Sequence, residues 1–413
     1  MVTFLEEKIE YKGLILRKIR EGSTELFVPD PESYVPRKNY YLPAALPVFY
    51  NPLMEINRDI TIALIKTYLS MFAKENDLIY VEALAGTGIR GFRILNEIED
   101  NNVMVILNDL NPKAIDLMQF NLEILNFPEN KLKIYNLDAN YLFLKLRRNK
   151  IIPSIIEIDP YGTPIPFIFN AIKALTGKNG LLIVTATDTA PLTGKFPNAA
   201  LRKYGCRIIK NPFSREVAVR ALIYTIGREA SILSKRGIPL FAVFLHHFIK
   251  VAILFTRGKK HANEFWKSIG WVSFCPICNE FYIASGLHNF PMLYCEEKEH
   301  GSTEVLGPLW INSLFDKNFS DKMLDVLGKV KINKKNSELL KKIISQEMSA
   351  ADLPLFYDVH EISRRLGKSA PKTDSVVNEL INHGFRASRT HFNPRGVKTN
   401  ARLRDIIEIL NKI

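Results

Sequence analysis

The chain has 413 residues, of which 47% are hydrophobic and 24% charged; this composition is typical of a folded protein of two or three domains and excludes a disordered one. The formal net charge of +13 favours a polyanionic partner. The first residues carry acids without a long apolar stretch, so no signal peptide is expected, and the four cysteines suit a reducing cytoplasm.

Two strands are predicted first, at residues 13–20 and 24–28, ahead of a Pro- and Tyr-rich connector at 29–47. An amphipathic helix is predicted at 57–72. Apolar strand candidates then follow, several of them separated by helical patterns, at 78–84, 103–108, 132–136, 154–158 and 181–185. This alternation predicts an α/β fold with a doubly wound, mostly parallel sheet.

Candidate ligand-binding residues follow these strands, because ligands bind beyond the carboxyl ends of such a sheet. The first strand leads into a glycine-bearing turn at 86–91, where the backbone can approach a ligand closely. Asp109 follows the second strand and can accept both hydroxyls of a ribose. Asp138 follows the third and can accept from an adenine amine. Each acid has an alternative role as a helix or turn cap.

The fourth strand ends in Asp159-Pro160-Tyr161-Gly162, which resembles the Asp/Asn-Pro-Pro-aromatic motif of amino-directed methyltransferases. An aromatic amine is a poor nucleophile because its lone pair is delocalised into the ring. Asp159 can accept a hydrogen bond from its N–H and hold the lone pair toward a methyl group. The carbonyl of Pro160 can take the second N–H, and Tyr161 offers a stacking face. The alternative is a rigid turn that only closes the strand.

Longer motifs occur in order along the chain: PVFYNP (47–52), NRD (57–59), TGIRG (87–91), ND (108–109), DPYGTP (159–164), TATDTAPL (185–192), FYD (356–358) and RTHF (389–392). With them, the chain resembles the tRNA (guanine-26-N2)-dimethyltransferase family from about residue 22 to its end. The resemblance implies a Rossmann-like class I methyltransferase domain, S-adenosylmethionine as methyl donor and tRNA as substrate. It also implies that Arg58, Arg90, Asp109, Asp138 and Ala139 line the cofactor pocket, with Asp159 catalytic.

Several of these residues have a second interpretation. Arg58, ahead of the first strand of the sheet, is placed to pair bidentately with the methionine carboxylate. Arg90 can do the same or brace the glycine-bearing turn. We expect Phe49 and Tyr161 to sandwich a flipped guanine, although Phe49 could instead lie in the core. Asp188, after the fifth strand, supports the site or caps a loop.

A candidate structural zinc site combines three thiols with one imidazole: Cys275, Cys278, Cys295 and His300. It departs from the paired C-x-x-C of zinc-bearing family members, because Lys298 stands where the fourth cysteine would be. His300 is the predicted replacement and His288 the reserve. The alternative is a loop without metal, and Cys206 is expected to be buried packing.

From residue 331 onward, 16 Lys and Arg stand against nine Asp and Glu, which leaves about +7 in the last fifth of the chain. Helices predicted at 358–366 and 373–382, followed by 385–389 and a basic loop, suggest a winged-helix-like module. Its predicted phosphate contacts are Arg364, Arg365, Lys368, Arg386, Arg389, Arg395 and Lys398. A solvated basic surface, or a basic cap on the catalytic domain, is the alternative.

Three parts are therefore predicted: an N-terminal region with the methyltransferase domain (1–260), a zinc-knuckle segment (261–320) and a basic tRNA-binding region (321–413). The last two form an α+β C-terminal domain. The most apolar window, 238–255, contains His246, His247 and Lys250, so no membrane span is expected. No feature indicates an obligate protein partner.

Three other functions compete with this interpretation. A DNA amino-methyltransferase would share the chemistry of Asp159. A nicotinamide-dependent oxidoreductase would share the sheet, but the chain lacks the three-glycine dinucleotide fingerprint. A nucleic-acid-binding protein without enzymatic activity would have no affinity for the cofactor.

Overall fold

The computed structural model describes residues 2–34, 43–72, 78–98, 103–128, 130–289, 295 and 300–413. The strands are β1 (Thr3–Tyr11), β2 (Leu14–Glu21), β3 (Thr24–Pro29), β4 (Leu78–Glu82), β5 (Val103–Asn108), β6 (Leu132–Tyr135), β7 (Ile155–Ile158), β8 (Lys178–Ala186), β9 (Lys235–Leu245), β10 (Phe248–Arg257), β11 (Ile269–Phe274), β12 (Phe281–Ser285), β13 (Glu304–Trp310), β14 (Tyr357–Asp358), β15 (Ala387–Arg389) and β16 (Gly396–Thr399).

The α-helices are α1 (Pro31–Tyr34), α2 (Glu55–Phe72), α3 (Ile89–Glu97), α4 (Pro112–Leu125), α5 (Ala139–Arg148), α6 (Ile165–Ala174), α7 (Thr189–Leu192), α8 (Pro197–Tyr204), α9 (Ser214–Ile232), α10 (Lys259–Trp266), α11 (Lys317–Leu327), α12 (Lys334–Met348), α13 (Val359–Arg365), α14 (Thr373–Asn382) and α15 (Leu403–Lys412). The chain divides into two compact units. Unit 1 comprises Met1–Pro160, Asn170–Val184 and Asp321–Leu339; unit 2 comprises Tyr161–Phe169, Thr185–Ser320 and Leu340–Ile413.

Unit 1 contains the predicted parallel sheet, with strands hydrogen-bonded in the order β6-β5-β4-β7-β8. Every neighbouring pair in this series runs parallel. Strands β4, β5, β7 and β8 are almost wholly buried, as expected for a sheet covered by helices on both faces. The chain builds outward from β4 through β5 and β6, then returns to the other side of β4 at β7. This reversal creates a crevice at the carboxyl ends of β4 and β7, the expected position of a ligand.

The same unit contains an antiparallel sheet in the order β1-β2-β3. The strands predicted at 13–20 and 24–28 are confirmed as β2 and β3, whereas β1 was missed because its sequence is rich in glutamate. On β2, Ile19 and Glu21 share a buried face, as the period-two alternation of a strand requires. A carboxylate in that position needs a buried partner.

The strand pairs within unit 2 are antiparallel. Strands β9 and β10 form a hairpin through His246 and His247, so the apolar window at 238–255 is a pair of buried strands. Two further sheets have the orders β12-β11-β13 and β14-β16-β15. Among the described residues, no helix is long and apolar enough to cross a membrane.

The predicted C-terminal helices are confirmed as α13 and α14, and the segment at 385–389 contains β15. Asp358 caps α13 by accepting from the backbone N–H groups of His360 and Glu361. The element order strand, helix, helix, strand, strand matches the winged-helix-like arrangement that the sequence predicts. The buried apolar residues of these elements form one core with α15.

Candidate active site

The glycine-bearing turn between β4 and α3 is fixed to the end of β5. The backbone N–H of Gly86 donates to Asp109 Oδ2 at 2.7 Å. Gly88 has a φ of 73°, and a Cβ atom there would lie 2.8 Å from Cγ of Met118. Only glycine therefore suits this position. The turn brings backbone amides to the crevice, as the sequence predicts.

Asp109 and Asp138 lie at the carboxyl ends of neighbouring strands. Oδ1 of Asp109 accepts from the backbone N–H of Asn111 at 2.9 Å, so both oxygens already hold loop backbone. Asp138 is the N-cap of α5, where Oδ1 accepts from Asn140 and Tyr141. The capping alternative is thus observed for Asp138, and it leaves Oδ2 available to a ligand. Ala139, the first residue of that helix, is buried.

Arg58 lies in the first turn of α2, inside unit 1. Its Nε and Nη2 donate to the two carboxylate oxygens of Glu21, both at 2.6 Å, and Nη1 donates to the carbonyl of Asn51 at 3.1 Å. Burial opposes the ionisation of Glu21, but Arg58 and Arg93 together lower its pKa below the ordinary value. The bidentate partner of Arg58 in this structure is therefore Glu21, a residue that the sequence analysis did not connect with it.

Arg90 extends from the first turn of α3 into a cluster of three carboxylates. Its Nη1 donates to Glu82 Oε1 at 2.7 Å, and its Nε lies 3.3 Å from Glu157 Oε1. Its Nη2 donates to Asn57 Oδ1 at 3.0 Å and to Asp159 Oδ2. These contacts join the ends of β4 and β7 through one guanidinium, so Arg90 braces this edge of the sheet.

The electrostatics of this cluster follow from its burial. Burial raises the pKa of Glu82 to about 7; Arg90 opposes this shift, while Glu157 and Asp159 add to it. Burial also opposes the charge on Arg90, yet the three carboxylates raise its pKa well above the ordinary value. The guanidinium therefore stays charged.

The loop that follows β7 continues from Asp159 and Pro160 into unit 2. The backbone N–H of Gly162 donates to Thr187 Oγ1 at 2.7 Å, and the N–H of Thr187 donates back to the Gly162 carbonyl at 3.0 Å. Tyr161 is 82% exposed within this loop. Its ring is therefore accessible for stacking.

Asp188 supports the same loop from the end of β8. It accepts from the Tyr204 hydroxyl at 2.6 Å and from Lys203 at 3.1 Å, while Tyr204 also contacts Thr163 Oγ1 at 3.1 Å. Asp188 makes no side-chain hydrogen bond to the start of α7, so it supports the loop after β7 and does not cap the helix. Phe49, in unit 1, is 42% exposed, which excludes the alternative that it lies in the core.

The cysteine cluster of unit 2 assembles as predicted. The ligand atoms of Cys275, Cys278, Cys295 and His300 all lie within 4.8 Å of one another. The Sγ atoms of Cys278 and Cys295 are 3.5 Å apart, and His300 Nδ1 lies 3.8 Å from Cys275 Sγ and 3.3 Å from Cys295 Sγ. His288 is not a member of this group, and Lys298 lies outside the described residues.

Comparisons with known proteins agree with this geometry. A family model described as N2,N2-dimethylguanosine tRNA methyltransferase matches residues 29–411. The chain therefore belongs to the N2,N2-dimethylguanosine tRNA methyltransferase family. It is 35% identical over 405 residues to a tRNA (guanine(26)-N(2))-dimethyltransferase of Methanosarcina acetivorans, covering 97% of this chain and 100% of that protein. It is 34% identical over 393 residues to the Methanocaldococcus jannaschii protein of the same name, covering 95% and 98%.

A solved structure supports the same family. The structure described as Trm1 from Pyrococcus horikoshii with S-adenosyl-L-methionine superposes with a TM-score of 0.81 at 29% sequence identity. The match covers 95% of this chain and 99% of that chain, so both the predicted α/β fold and its C-terminal extension are confirmed.

The prediction that Lys398 contacts a tRNA phosphate is wrong. Lys398 is buried in β16, where its Nζ lies 3.1 Å from Glu216 Oε1 and 2.9 Å from Glu347 Oε2. The side chain of Lys398 is only 2% exposed and is paired with two carboxylates, so it does not meet RNA. His391 of the RTHF motif contacts Glu347 Oε1 through Nδ1 at 2.7 Å and accepts from the backbone N–H of Phe244 at 3.3 Å.

The residues that sequence reasoning missed are the acidic partners of the two arginines: Glu21, Glu82 and Glu157. Each lies in or at the end of a buried strand, and each is itself buried. A charged residue inside an otherwise apolar strand is the signal that could have found them, because a buried charge requires a partner. The sequence does not show which arginine that partner is.

Proposed function

We propose that this chain transfers methyl groups from S-adenosylmethionine to the exocyclic N2 of guanine 26 in tRNA, once or twice at the same nitrogen. The observation that carries the proposal is the position of Asp159. It follows β7 at the crevice beside β4, its carboxylate is 15% exposed, and Arg90 holds one of its oxygens. The relatives named as tRNA (guanine(26)-N(2))-dimethyltransferases support this substrate, and the cytoplasm remains the predicted location.

The chemistry of the proposed reaction rests on positioning. S-adenosylmethionine supplies an activated methyl group on a sulfonium. Asp159 accepts a hydrogen bond from the guanine amine, and the Pro160 carbonyl is the proposed acceptor for the second N–H. These contacts orient the nitrogen lone pair, and the proton leaves to Asp159 or to water once the nitrogen is methylated. The surrounding carboxylates favour the positive charge that passes to the nitrogen.

We assign the cofactor to the crevice beside β4. Asp109 is the proposed acceptor for the ribose hydroxyls, while Asp138 and Ala139 flank the adenine. Arg58 and Arg90 stay proposed contacts at the methionine end, although both guanidinium groups already bind protein carboxylates. Any contact with the methionine carboxylate would therefore add to those ion pairs.

For the guanine, we assign stacking to Phe49 and Tyr161. Both side chains are exposed, and an aromatic face stabilises a base by about 1–3 kcal/mol. A base that is stacked in a helix must leave it to meet either ring. The two exposed rings support this assignment, because each can meet a base without moving out of a core.

A single experiment tests the proposed reaction. The purified protein is incubated with one tRNA transcript and S-adenosylmethionine, and nuclease fragments are analysed by mass spectrometry. We expect added masses of one and two methyl groups on the fragment that contains guanine 26. An otherwise identical transcript with adenine at position 26 is the control and should gain no methyl group. Methylation of DNA with no methylation of tRNA would refute the proposal.

We also propose that Cys275, Cys278, Cys295 and His300 hold one structural zinc ion. A tetrahedral ion with Zn–S bonds of about 2.3 Å requires sulfur atoms roughly 3.8 Å apart. Three of the separations between ligand atoms are 3.3–3.8 Å, and all the ligand atoms lie within 4.8 Å of one another, which is close to that requirement. The ion would join the turn between β11 and β12 to the segment that precedes β13.

The proposed tRNA contact with the clearest geometry is Arg395. It is exposed in the loop that joins β15 and β16, the position of a wing. Other predicted contacts form surface ion pairs, among them Arg386 with Asp352 and Arg389 with Asp374. Surface ion pairs contribute little to the free energy of folding, and the arginine of such a pair can bind a phosphate in place of its carboxylate. The contacts of these residues with tRNA therefore remain predictions.

We expect Arg395→Ala to raise the KM for tRNA several-fold and leave kcat nearly unchanged. One lost phosphate contact should also lower the salt dependence of binding by about 0.7–0.9 in the log–log slope. Filter binding across a salt series measures this slope. Lys260→Ala, an exposed cation on α10, is the matched control. An unchanged slope in Arg395→Ala would exclude the wing from the tRNA interface.

A further inference from the structure

The carboxylate partners of Arg90 differ in exposure. The Glu157 side chain is fully buried and that of Glu82 is 3% exposed, whereas that of Asp159 is 15% exposed. The first two therefore face only the interior, and Asp159 is the member of the three that a substrate can reach. Arg90 connects them, with Nε toward Glu157, Nη1 toward Glu82 and Nη2 toward Asp159.

Glu157 is itself held from two other elements. Thr61 Oγ1 of α2 donates to Oε1 at 2.9 Å, and the Tyr80 hydroxyl of β4 donates to Oε2 at 3.1 Å. The carboxylate therefore has a fixed orientation before it meets Arg90. Glu157 lies on β7 and Asp159 directly follows that strand, and both carboxylates face the guanidinium of Arg90.

We propose that Glu157 is a positioning residue for the methyl transfer, because it fixes the guanidinium of Arg90, which in turn orients the carboxylate of Asp159. The role rests on the proposed function and adds a residue to its machinery. Nη1 of Arg90 is hydrogen-bonded to Glu82, and Nε lies at an ion-pair distance of 3.3 Å from Glu157, so both carboxylates restrict the guanidinium and its Nη2 is directed to Asp159. Small displacements of an orienting group cost large factors in rate, which makes the anchor important.

The test compares two buried carboxylates of unit 1 that lose the same charge. Glu157→Gln keeps the volume of the side chain but removes its charge beside Arg90. Glu97→Gln is the matched control: Glu97 is buried and paired with Arg93, with no contact to Arg90 or Asp159. We expect Glu157→Gln to lower kcat at least ten-fold while the Kd for S-adenosylhomocysteine changes less than three-fold. Glu97→Gln should keep kcat within two-fold.

A pH profile separates positioning from a structural effect. The charged or titratable groups around Asp159 and Arg90 are Glu82 and Tyr80 of β4, Glu157 of β7 and Arg58 of α2. Glu157 is one of the charges that raise the pKa of Glu82, so removing its negative charge lowers that pKa. The acid limb of the kcat profile should therefore move to lower pH in Glu157→Gln. If the substitution only reduced the amount of folded protein, kcat would fall by the same factor at every pH, and the acid limb would stay at the same pH.

A milder variant keeps the test decisive if Glu157→Gln folds poorly. Tyr80→Phe removes one donor to Glu157 and retains every charge, so we expect a smaller loss in kcat with an unmoved acid limb. The proposal is overturned if both variants keep kcat within two-fold of wild type, or if Glu97→Gln loses as much as Glu157→Gln. A wild-type protein that does not methylate tRNA would refute the proposed function and this role with it.

Discussion

Replacement of Asp159 by alanine should lower kcat for tRNA methylation by about 10²–10⁴-fold, the usual contribution of a positioned acid–base group. The carboxylate is the proposed acceptor for the guanine amine, and alanine has no atom that can replace it. The cofactor should bind nearly as before, because the proposed ribose and adenine contacts lie after β5 and β6.

The structure also indicates that this variant will fold. Without Asp159, the guanidinium of Arg90 still faces Glu82 and Glu157, so no buried cation is left without an acid. Single-turnover methylation of tRNA measures the chemical step, and calorimetry with S-adenosylhomocysteine measures cofactor affinity. Asp116→Ala, an exposed aspartate of α4 paired with Lys12, is the control and should keep wild-type turnover.

Asparagine at the same position separates the hydrogen bond from the charge. Asp159→Asn keeps one carbonyl oxygen that can accept from the amine, so it should retain more activity than the alanine variant. If Asp159→Ala keeps more than about a tenth of wild-type turnover, the carboxylate does not orient the nucleophile and the assigned role is wrong.

The sheet and the loops around this site could be predicted because local sequence determines them. Buried parallel strands are short apolar runs, and the glycine-bearing turn and the Asp159 motif follow two of those runs directly. The topology then places both loops at one edge of the sheet. The sequence therefore predicts which loops meet, even though it contains no information on side-chain pairing.

The buried ion pairs could not be predicted, because they join residues that are far apart in sequence. Glu21 meets Arg58 from a separate sheet, 37 positions upstream. Lys398 shows the opposite problem, a buried residue that the sequence predicts to be exposed. Its segment is rich in basic residues, which favours a position on the surface. The first three residues of β16 are nevertheless all buried, and Lys398 lies between Glu216 and Glu347. Net charge describes a surface on average and does not identify which cations are buried.

Loss of the proposed zinc ion is expected to have the largest effect on stability. Cys275 follows β11 directly and starts the turn to β12, where its N–H donates to the carbonyl of Glu280 at 2.9 Å. Cys295 and His300 approach this turn from the segment before β13. An ion shared by both parts would fix these two segments to each other, so its binding free energy would contribute to the stability of the fold.

We therefore expect about one zinc ion per chain in protein purified with metal present, measured by elemental analysis. Cys275→Ser should lose most of the metal and unfold at a lower temperature in calorimetry, because one thiolate ligand is removed. His300→Ala should lose metal as well, since Nδ1 is the fourth donor, whereas His288→Ala should retain it. Loss of metal in His288→Ala with retention in His300→Ala would instead assign the fourth position to His288.

Cys206, the cysteine outside the proposed zinc site, provides the matched control. Cys206 is buried in unit 2, with its Sγ 3.1 Å from the carbonyl of Pro308, and it belongs to no cluster of metal-ligating residues among those that the structure describes. Cys206→Ser should keep a full complement of zinc even if burial of the new hydroxyl lowers stability. Wild-type protein without zinc would show that these cysteines only pack together. Equal metal loss in Cys206→Ser and Cys275→Ser would show that the loss follows general destabilisation and does not identify Cys275 as a ligand. Metal loss confined to Cys275→Ser and His300→Ala would instead identify a zinc site with only one C-x-x-C pair, in which a histidine replaces the fourth thiolate.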